Sequence, residues 1–193
     1  MRGANLQIVP PWVVIGRVSC QDRGVRETPQ QIEELQQLLD RSVSRSGGHL
    51  TGIITEERRL TARQLVAALT GMKVVVVATV NATGEPRTSC VDGHFLHGSW
   101  LFSTDESAAK AVHLKARPAV SCTHADGERM AVFTHGHVDY ITAGRPEFTD
   151  HDRYFTEFYG SSPTTWGPNI VFLRVRPTWM VAYAANPAEF SET

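Results

Sequence analysis

Apolar residues recur every three or four positions in two segments ahead of residue 72, and this spacing predicts two helices. The first predicted helix covers residues 29–41, and residues 42–48 interrupt the pattern. The second begins at Thr61, which has Gln64 at the spacing of a capping box, and it ends at Gly71. The apolar face of the first helix consists of Ile32, Leu35, Leu38 and Leu39.

From Met72 the pattern changes to short apolar or alternating runs separated by turn residues, which predicts strands. Two further helices are predicted, one after "LFSTD" and one over Pro146–Tyr159. Six or seven antiparallel strands joined by tight turns, with helices only at the connections, are typical of a small barrel. The strand segments are "KVVVVATV", "RTSCV", the hairpin and strand of "DGHFLHGSWLFST", "PAVSCTH", "RMAVFTHGHVDYIT", "NIVFLRVRP" and "TWMVAYA".

The first part of the chain differs from the rest. Residues 1–29 mix proline, glycine and arginine without a sustained period, which is typical of an irregular arm. We therefore predict an N-terminal arm and helix, residues 1–60, packed on a barrel domain formed by residues 61–193. The predicted fold class is mainly β, with peripheral helices and an N-terminal helical extension.

Composition narrows the class of protein further. Of the 193 residues, 41% are hydrophobic and 20% are charged, which is typical of one globular domain with a substantial core. The net charge of −1 and the lack of a basic run argue against nucleic acid, and no segment is long enough to span a membrane. Residues 6–14 are apolar but contain two prolines, unlike a signal peptide. Three cysteines without CxxC spacing predict neither a disulfide framework nor a zinc site and favour the cytoplasm.

The segment "LFSTDESAAKAVHLKARPAVSC" contains the first candidate chemistry. A helix start presents unpaired N–H groups and a partial positive charge. Thr104 and Ser107 provide hydroxyls there, either to cap the helix or to donate hydrogen bonds to an anion. Lys110 lies one turn further along the same face. The group is a candidate phosphate site; the alternative is an ordinary capped helix with Lys110 as a solvated surface charge.

This segment, together with "ATVNATGEPRTSCV" before it and "VFTHGHV" after it, resembles the flavin-binding split-barrel family typified by pyridoxamine 5'-phosphate oxidase. The resemblance covers residues 65–183 and is closest to actinobacterial members. It implies a split β-barrel of about six antiparallel strands, FMN as the cofactor, and a homodimer with cofactor sites at the interface.

Positions that match the family motifs carry implied roles. The resemblance implies that the serine–threonine turn and the lysine bind the phosphate or ribityl chain of FMN, and that the strand after the Gly-x-Pro turn runs beside the ring. It places His94 where the oxidases have a lysine, and Tyr183 where they have a ring-side tryptophan from the partner subunit. The phosphate or ribityl positions are Ser103, Thr104 and Lys110, and the ring positions are Ser89, Cys90 and Val91.

The chain also departs from the family pattern. Ala108 and Ala109 stand where the oxidases have a serine and an arginine, and each lost charged hydrogen bond is worth about 1.5–3 kcal/mol. Arg87 and His113 are the candidates to compensate. Ala131 replaces a ring-contacting glutamine. The Arg-x-His ending of the oxidases is absent, so oxidation of pyridoxamine phosphate is not expected.

Other residues allow more than one interpretation. Six of the eight histidines fall between His94 and His137. His135 and His137 share one face of a strand, where they are either ligands of haem or a metal or polar residues on the rim of the barrel. No cysteine or acid pair completes a metal set, so no metal site is predicted. Cys90 is either a nucleophile or, more commonly, a small buried hydrophobe. Trp166, in "YGSSPTTWGPN", either covers a flat ligand or fills the core.

The sequence thus favours an FMN-dependent oxidoreductase that acts on an unidentified small molecule, because flavin chemistry requires few catalytic side chains. The alternatives are a deazaflavin-dependent reductase and a non-catalytic flavin- or haem-binding protein. We expect a homodimer, because apolar strands such as "KVVVVATV" need cover and because Trp166, Trp179 and Tyr183 lie more than fifty residues from Lys110.

Overall fold

Six antiparallel strands close into a barrel in the computed structural model of the chain, which describes residues 26–190. Around the barrel the order is β1, β2, β3, β6, β5 and β4, and β4 pairs again with β1. The predicted fold class is confirmed. Of the irregular arm predicted for residues 1–29, the first 25 residues lie outside the described part. The strands are β1 (Met72–Val80), β2 (Pro86–Leu96), β3 (Ser99–Asp105), β4 (Ala119–Asp126), β5 (Met130–Ile141) and β6 (Ile170–Ala184).

Five helices accompany the described strands: α1 (Pro29–Ser44), α2 (Gly48–Ile53), α3 (Ala62–Ala68), α4 (Ala109–Ala116) and α5 (Pro146–Tyr159). The capping box of Thr61 and Gln64 is present at α3, and a second one at α1 joins Thr28 to Gln31. Helix α5 has the predicted bounds, whereas α1 extends three residues beyond its predicted end. Within residues 26–190 no helix is both long and apolar enough to cross a membrane.

Two predictions about the strands are wrong. "RTSCV" and "DGHFL" form one continuous strand, β2, instead of a strand followed by a separate hairpin. "NIVFLRVRP" and "TWMVAYA" form a single strand, β6, rather than two. The register of β5 against β6 shifts between His135 and Gly136, so that His135 pairs with Trp179 and Gly136 with Pro177. Thr178, the residue between these two partners, forms a bulge. The bulge allows the strand to continue through Pro177, which has no N–H group to donate.

The barrel pairs incompletely at two places. Strand β1 pairs with β4 only from Val76 to Ala78. Outside this stretch, side chains contact the backbone carbonyls of β1. His124 Nδ1 lies 2.9 Å from the Val74 carbonyl oxygen, and Arg117 Nε donates to the Val80 carbonyl at 3.0 Å. Strand β2 pairs with β3 only through three residues at their hairpin, from His94 to Leu96. The barrel is therefore split along β2 and β3.

Two apolar clusters hold the helices to the barrel. The larger fills the barrel and continues into α1 and α3 through Leu35, Leu39 and Leu65. The smaller lies on the outer face, where Phe155 of α5 packs on Leu101, Ile141 and Phe172. Helix α5 consequently covers the outside of β3, β5 and β6, which determines where the polar residues beneath it can point. These polar residues are His94, Arg174 and Asp139, in one cross-strand row with Leu101.

Candidate functional site

The opening between β2 and β3 is the first component of the candidate site. Residues 87–93 of β2 pair with β1 on one edge, and residues 102–105 of β3 pair with β6, but no strand hydrogen bonds join these two segments. We call this opening the β2–β3 split. Backbone N–H and C=O groups need partners, so a strand edge without one is available to hydrogen-bond a flat, polar ligand.

The three residues expected beside a cofactor ring all lie in the β2 part of this split. Ser89 is half-buried, Cys90 is exposed on the outer face, and the Val91 side chain points into the core. The hydrogen bond from the Asn81 amide to the Glu85 carbonyl sets the alternation of the ladder, so the backbone groups of Ser89 and Val91 bond to β1 and those of Cys90 face the split. Cys90 forms no hydrogen bond with a histidine or a carboxylate among the described residues, and it is not buried. Cys90 is therefore neither paired with a base within residues 26–190, as a nucleophile would be, nor buried as a small hydrophobe.

The start of α4 is the second component. Its N-cap residue is Ala108, whose side chain has no hydrogen-bonding group. The amides of Ala109, Lys110 and Ala111 have no acceptor within residues 26–190. The Lys110 side chain is half-buried and forms no ion pair in that range. Free amides, the positive end of a helix and an unpaired ammonium group together favour an anion at this point.

The hydroxyl of Ser107 is not available to donate to such an anion. It donates to Asp105 Oδ1 at 2.5 Å, and the Ser107 amide donates to the same oxygen at 2.8 Å. These hydrogen bonds hold the pKa of Asp105 below its usual value, so the carboxylate is charged at neutral pH. The expectation that Ser107 caps α4 or binds an anion is corrected, and Asp105 adds a negative charge near the α4 start.

Ser103 and Thr104 lie within β3, not in a turn as predicted. Successive residues of a strand point to opposite faces, so the two hydroxyls cannot meet at one atom of a ligand. Ser103 pairs with Phe172, on the outer face that α5 covers, and Thr104 pairs with Val171, a core residue. Both side chains are half-buried.

Arg87 and His113, the candidates to compensate for Ala108 and Ala109, lie at the same end of the barrel as α4. His113 of α4 forms a 3.0 Å hydrogen bond with the Thr79 hydroxyl through Nδ1. Thr79 is the register partner of Arg87 on β2. The Arg87 side chain is exposed and forms an ion pair of 2.8 Å with Glu85. The structure brings these residues together at one end of the β1–β2 hairpin.

His94 does not face the β2–β3 split. Its side chain is 0% exposed, and its Nδ1 and Nε2 atoms lie 2.8 and 2.9 Å from the hydroxyls of Tyr154 and Tyr159. Burial lowers its pKa to about 4, so the ring is neutral at physiological pH. We call this surrounding the His94 cage; its rings belong to Tyr154, Phe155, Phe158 and Tyr159 of α5. The expected position of His94 beside the cofactor is therefore corrected.

Trp166 lies close to the end of β3 in its own chain. Its loop returns to β3, where Asn169 accepts a hydrogen bond of 2.8 Å from the Glu106 amide. The indole is 48% exposed, donates to Ser161 at 3.1 Å and meets the Tyr159 ring edge-on. Trp166 therefore does not fill the core. Although it lies more than fifty residues from Lys110 in the sequence, the fold brings its loop close to the start of α4 within one chain.

Tyr183, by contrast, lies near the far end of β6. Residue Ile170 at the beginning of β6 pairs with Asp105, and Tyr183 is up to about 40 Å further along at the usual rise of a strand. The tyrosine ring stacks on Phe133 at 6.4 Å, and the Arg58 guanidinium lies 5.6 Å from its centre. Tyr183 is thus remote from Lys110 within one chain.

The remaining histidines do not assemble a metal site. His135 is exposed, stacks on Trp179 at 4.7 Å and forms a hydrogen bond of 2.8 Å with Ser121. Among residues 26–190, no three His, Cys, Asp or Glu side chains are grouped so that they can hold a metal ion. Cys122 lies inside the barrel, where burial raises the pKa of its thiol to about 12, so this thiol is unreactive.

The fold is that of the split β-barrel proteins, as comparison with solved structures shows. A conserved hypothetical protein from Mycobacterium tuberculosis superposes with a TM-score of 0.57 at 15% identity, over 71% of this chain and 92% of that one. An FAD-binding protein from Mesorhizobium loti gives 0.51 at 18% identity, over 65% and 94%. A haem storage protein from Vibrio cholerae gives 0.50 at 16% identity, over 57% and 86%. No family model and no curated protein matches the chain.

Proposed function

We propose that the chain binds FMN in the β2–β3 split and works as an oxidoreductase on a small molecule. The observation that carries the proposal is the unpaired strand edge of the split, with the uncapped start of α4 and the unpaired Lys110 following β3 directly. A flavin has a flat ring with hydrogen-bonding edges and a phosphate on a flexible chain, so the two components suit its two ends. One split-barrel protein of similar fold is described as FAD-binding.

The roles of the chain's own residues follow from this placement. The backbone of Cys90 on the free edge of β2 hydrogen-bonds the ring, with the Ser89 side chain beside it, while Lys110 and the free amides of α4 hold the phosphate. Trp166, exposed beside the end of β3, is placed to stack on an open ring face. When bound, the flavin supplies the hydride or electron transfer, and the protein orients it and admits the substrate. Pyridoxamine phosphate is not the expected substrate.

Replacing Lys110 with alanine is expected to weaken FMN binding by roughly 2 kcal/mol, about thirtyfold. The reason is the loss of a half-buried cation that has no carboxylate partner of its own among the described residues. Quenching of FMN fluorescence on titration with protein at low salt measures the affinity. A deazaflavin coenzyme and haem are titrated in parallel, because their absorption bands distinguish them from FMN.

Lys115→Ala is the matched control, since Lys115 lies in the last turn of the same helix and its ammonium group is already paired with Glu106 at 2.6 Å. We expect this variant to bind FMN as the unchanged chain does. Equal loss in both variants would mean that only overall charge matters. Binding of haem or deazaflavin without FMN would replace the proposed cofactor.

We further propose that the working unit is a homodimer that covers the outer face of β1. This face is an apolar stripe of exposed side chains, and the exposed Val112 of α4 adds to the apolar surface at this side of the barrel. Two-fold pairing is the commonest way to cover such a surface. The remoteness of Tyr183 from Lys110 within one chain also supports a site shared by two copies. The stripe consists of Met72, Val74, Val76 and Val80, which are 40%, 55%, 39% and 39% exposed.

Replacing Val76 with glutamate is expected to convert the dimer to a monomer, because two-fold symmetry brings the new charges near each other in an apolar interface. Light scattering at micromolar concentration should give twice the chain mass for the unchanged protein and the chain mass for the variant. Ile53→Glu is the control, since Ile53 is a similarly exposed apolar residue (42%) that belongs to α2 and not to β1. A monomeric unchanged chain that still binds FMN stoichiometrically would contradict the dimer.

A further inference from the structure

A cavity of about 650 Å³ lies between α5, the β2–β3 turn and the middle of β6. It is separate from the α4 start and from the part of β2 assigned to the flavin. Its walls contain three carboxylates from α5 and six basic side chains, namely Arg26, Arg153, Arg174, Arg176, His97 and His151. A cavity of this size is in the range that holds small metabolites.

Two arginines of β6 are positioned by one carboxylate beneath α5. Arg174 donates to Asp139 through Nε at 3.1 Å and Nη2 at 2.9 Å, and Arg176 donates to it through Nε at 2.8 Å. The remaining N–H groups of both guanidinium groups, including both terminal nitrogens of Arg176, have no acceptor within residues 26–190. Two fixed guanidinium groups with free donors match the geometry of a carboxylate or a phosphate.

The charges of the cavity favour an anion as well. On α5, Asp150 forms an ion pair of 2.5 Å with Arg153, and Glu147 lies 3.7 Å from Arg145, so these two carboxylates have cations of their own. Arg174 and Arg176, however, share Asp139 between them. Asp139 therefore balances only one of these two guanidinium charges, and Glu147 of α5 also interacts electrostatically with Arg174.

His151 of α5 has an unmet hydrogen bond on the side of the helix that packs on the barrel. Its Nε2 atom is buried and has no partner among the described residues, and its ring packs on Phe172. Burial and the neighbouring Arg174 hold its pKa below the usual value, so the imidazole is neutral at physiological pH. The His151 side chain also lines the cavity, so a ligand bound there would lie against it.

We propose that this cavity binds a small organic anion whose carboxylate or phosphate group is held by Arg174 and Arg176. The site is independent of the proposed flavin, since none of these residues belongs to the β2–β3 split or to the α4 start. The neutral His151 lies against the ligand. The carboxylates of α5 line the opposite wall and favour a ligand that also carries hydrogen-bond donors.

Calorimetric titration of the full chain at low salt tests the proposal, with succinate and inorganic phosphate as separate probes that distinguish the two kinds of anion. We expect saturable binding of at least one probe, one per chain. Arg176→Gln should weaken this binding at least about tenfold, because it removes a charge-assisted pair of donors. Arg176 is mostly exposed and has one partner, so the variant is expected to fold. Lys110→Ala should bind the probe unchanged, which separates this site from the proposed flavin site.

Arg129→Gln is the charge-matched control, because Arg129 is an exposed arginine paired with Asp126 and Glu189 outside the cavity. Absence of saturable binding for both probes would overturn the proposal, as would equal weakening by Arg129→Gln or unchanged affinity in Arg176→Gln. A second measurement uses the unchanged protein alone. The probe should shift the imidazole resonances of His151 in NMR spectra at the concentration that saturates the calorimetric signal, and unshifted resonances would also overturn the proposal.

Discussion

Replacing His94 with phenylalanine is expected to lower the free energy of unfolding by about 3 kcal/mol, through two hydroxyls that lose their partner. In the His94 cage, both imidazole nitrogens lie within hydrogen-bond distance of tyrosine hydroxyls of α5, and the ring is 0% exposed. Phenylalanine keeps the aromatic packing but leaves these bonds unmade. Urea denaturation at pH 7.5, followed by circular dichroism, measures the change.

A double variant tests the cause of the loss. Adding Tyr159→Phe to His94→Phe removes the Tyr159 hydroxyl, which has lost its bond to His94, and we expect it to recover part of the lost stability. His137→Phe, at an exposed position of β5, is the control and should change stability by less than about 0.5 kcal/mol. If the double variant is less stable than the single one by the full cost of Tyr159→Phe alone, the hydrogen bond is not the cause.

The same cage makes the unchanged protein sensitive to mild acid. The pKa of His94 is about 4 in the folded chain and 6.5 when unperturbed, so the unfolded chain binds more protons between these values. The contribution of the neutral, buried His94 to the free energy of unfolding is fully present above pH 6.5. It is lost as the pH falls toward 4, and the loss is on the order of 3 kcal/mol at most. His151 acts in the same direction. His94→Phe should therefore show a shallower decline between pH 7 and pH 5, without becoming independent of pH.

Most of the elements could be predicted because their signals are local. The capping box at Thr61, and Pro146 and Gly160 at the two ends of α5, are encoded within a few residues of the boundary they define. The continuity of β6 is different. Pro177 indicates a strand end by itself, and the bulge that admits it depends on Gly136 of β5, about forty residues away.

The candidate site was predictable in part for the same reason. The position of Lys110 at a helix start follows from the sequence, and so does the course of β2 beside Ser89. The partner of the Ser107 hydroxyl does not, because capping of α4 and hydrogen bonding to Asp105 are both compatible with the same spacing. Ser103 and Thr104 were expected to act together, but the strand extends through both of them.

Residues beneath α5 were the hardest to interpret. A strand pattern tells which residues face outward, but not which distant helix covers them, so His94 was assigned to an open site. The signal available was the pair of tyrosines in α5, because a buried tyrosine hydroxyl requires a partner. In the sequence, Asp139, Arg174 and Arg176 show only as charged residues within apolar strands, with no sign that Asp139 positions the two arginines beside a cavity.

Replacing Gly136 with alanine is expected to destabilise the fold by about 3 kcal/mol or more, at the upper end of what overpacking costs. A Cβ atom at this position would lie 2.1 Å from the Arg176 carbonyl oxygen and 3.0 Å from Cα of Pro177. Both are backbone atoms, so no side-chain rotation relieves the clash. The strands β5 and β6 would have to separate at the bulge, although their pairing extends over the full length of β5.

Gly52→Ala is the matched control for this substitution. Gly52 lies inside α2, where no atom is within 4 Å of an added Cβ and φ is not positive, so alanine should leave stability unchanged or raise it by up to about 1 kcal/mol. Thermal unfolding of both variants, followed by circular dichroism, makes the comparison. Because the bulge also sets the positions of Arg176 and Trp179 on β6, a folded Gly136→Ala chain should show altered tryptophan fluorescence. A variant as stable as the unchanged chain, with the same fluorescence, would show that β5 and β6 do not approach this closely.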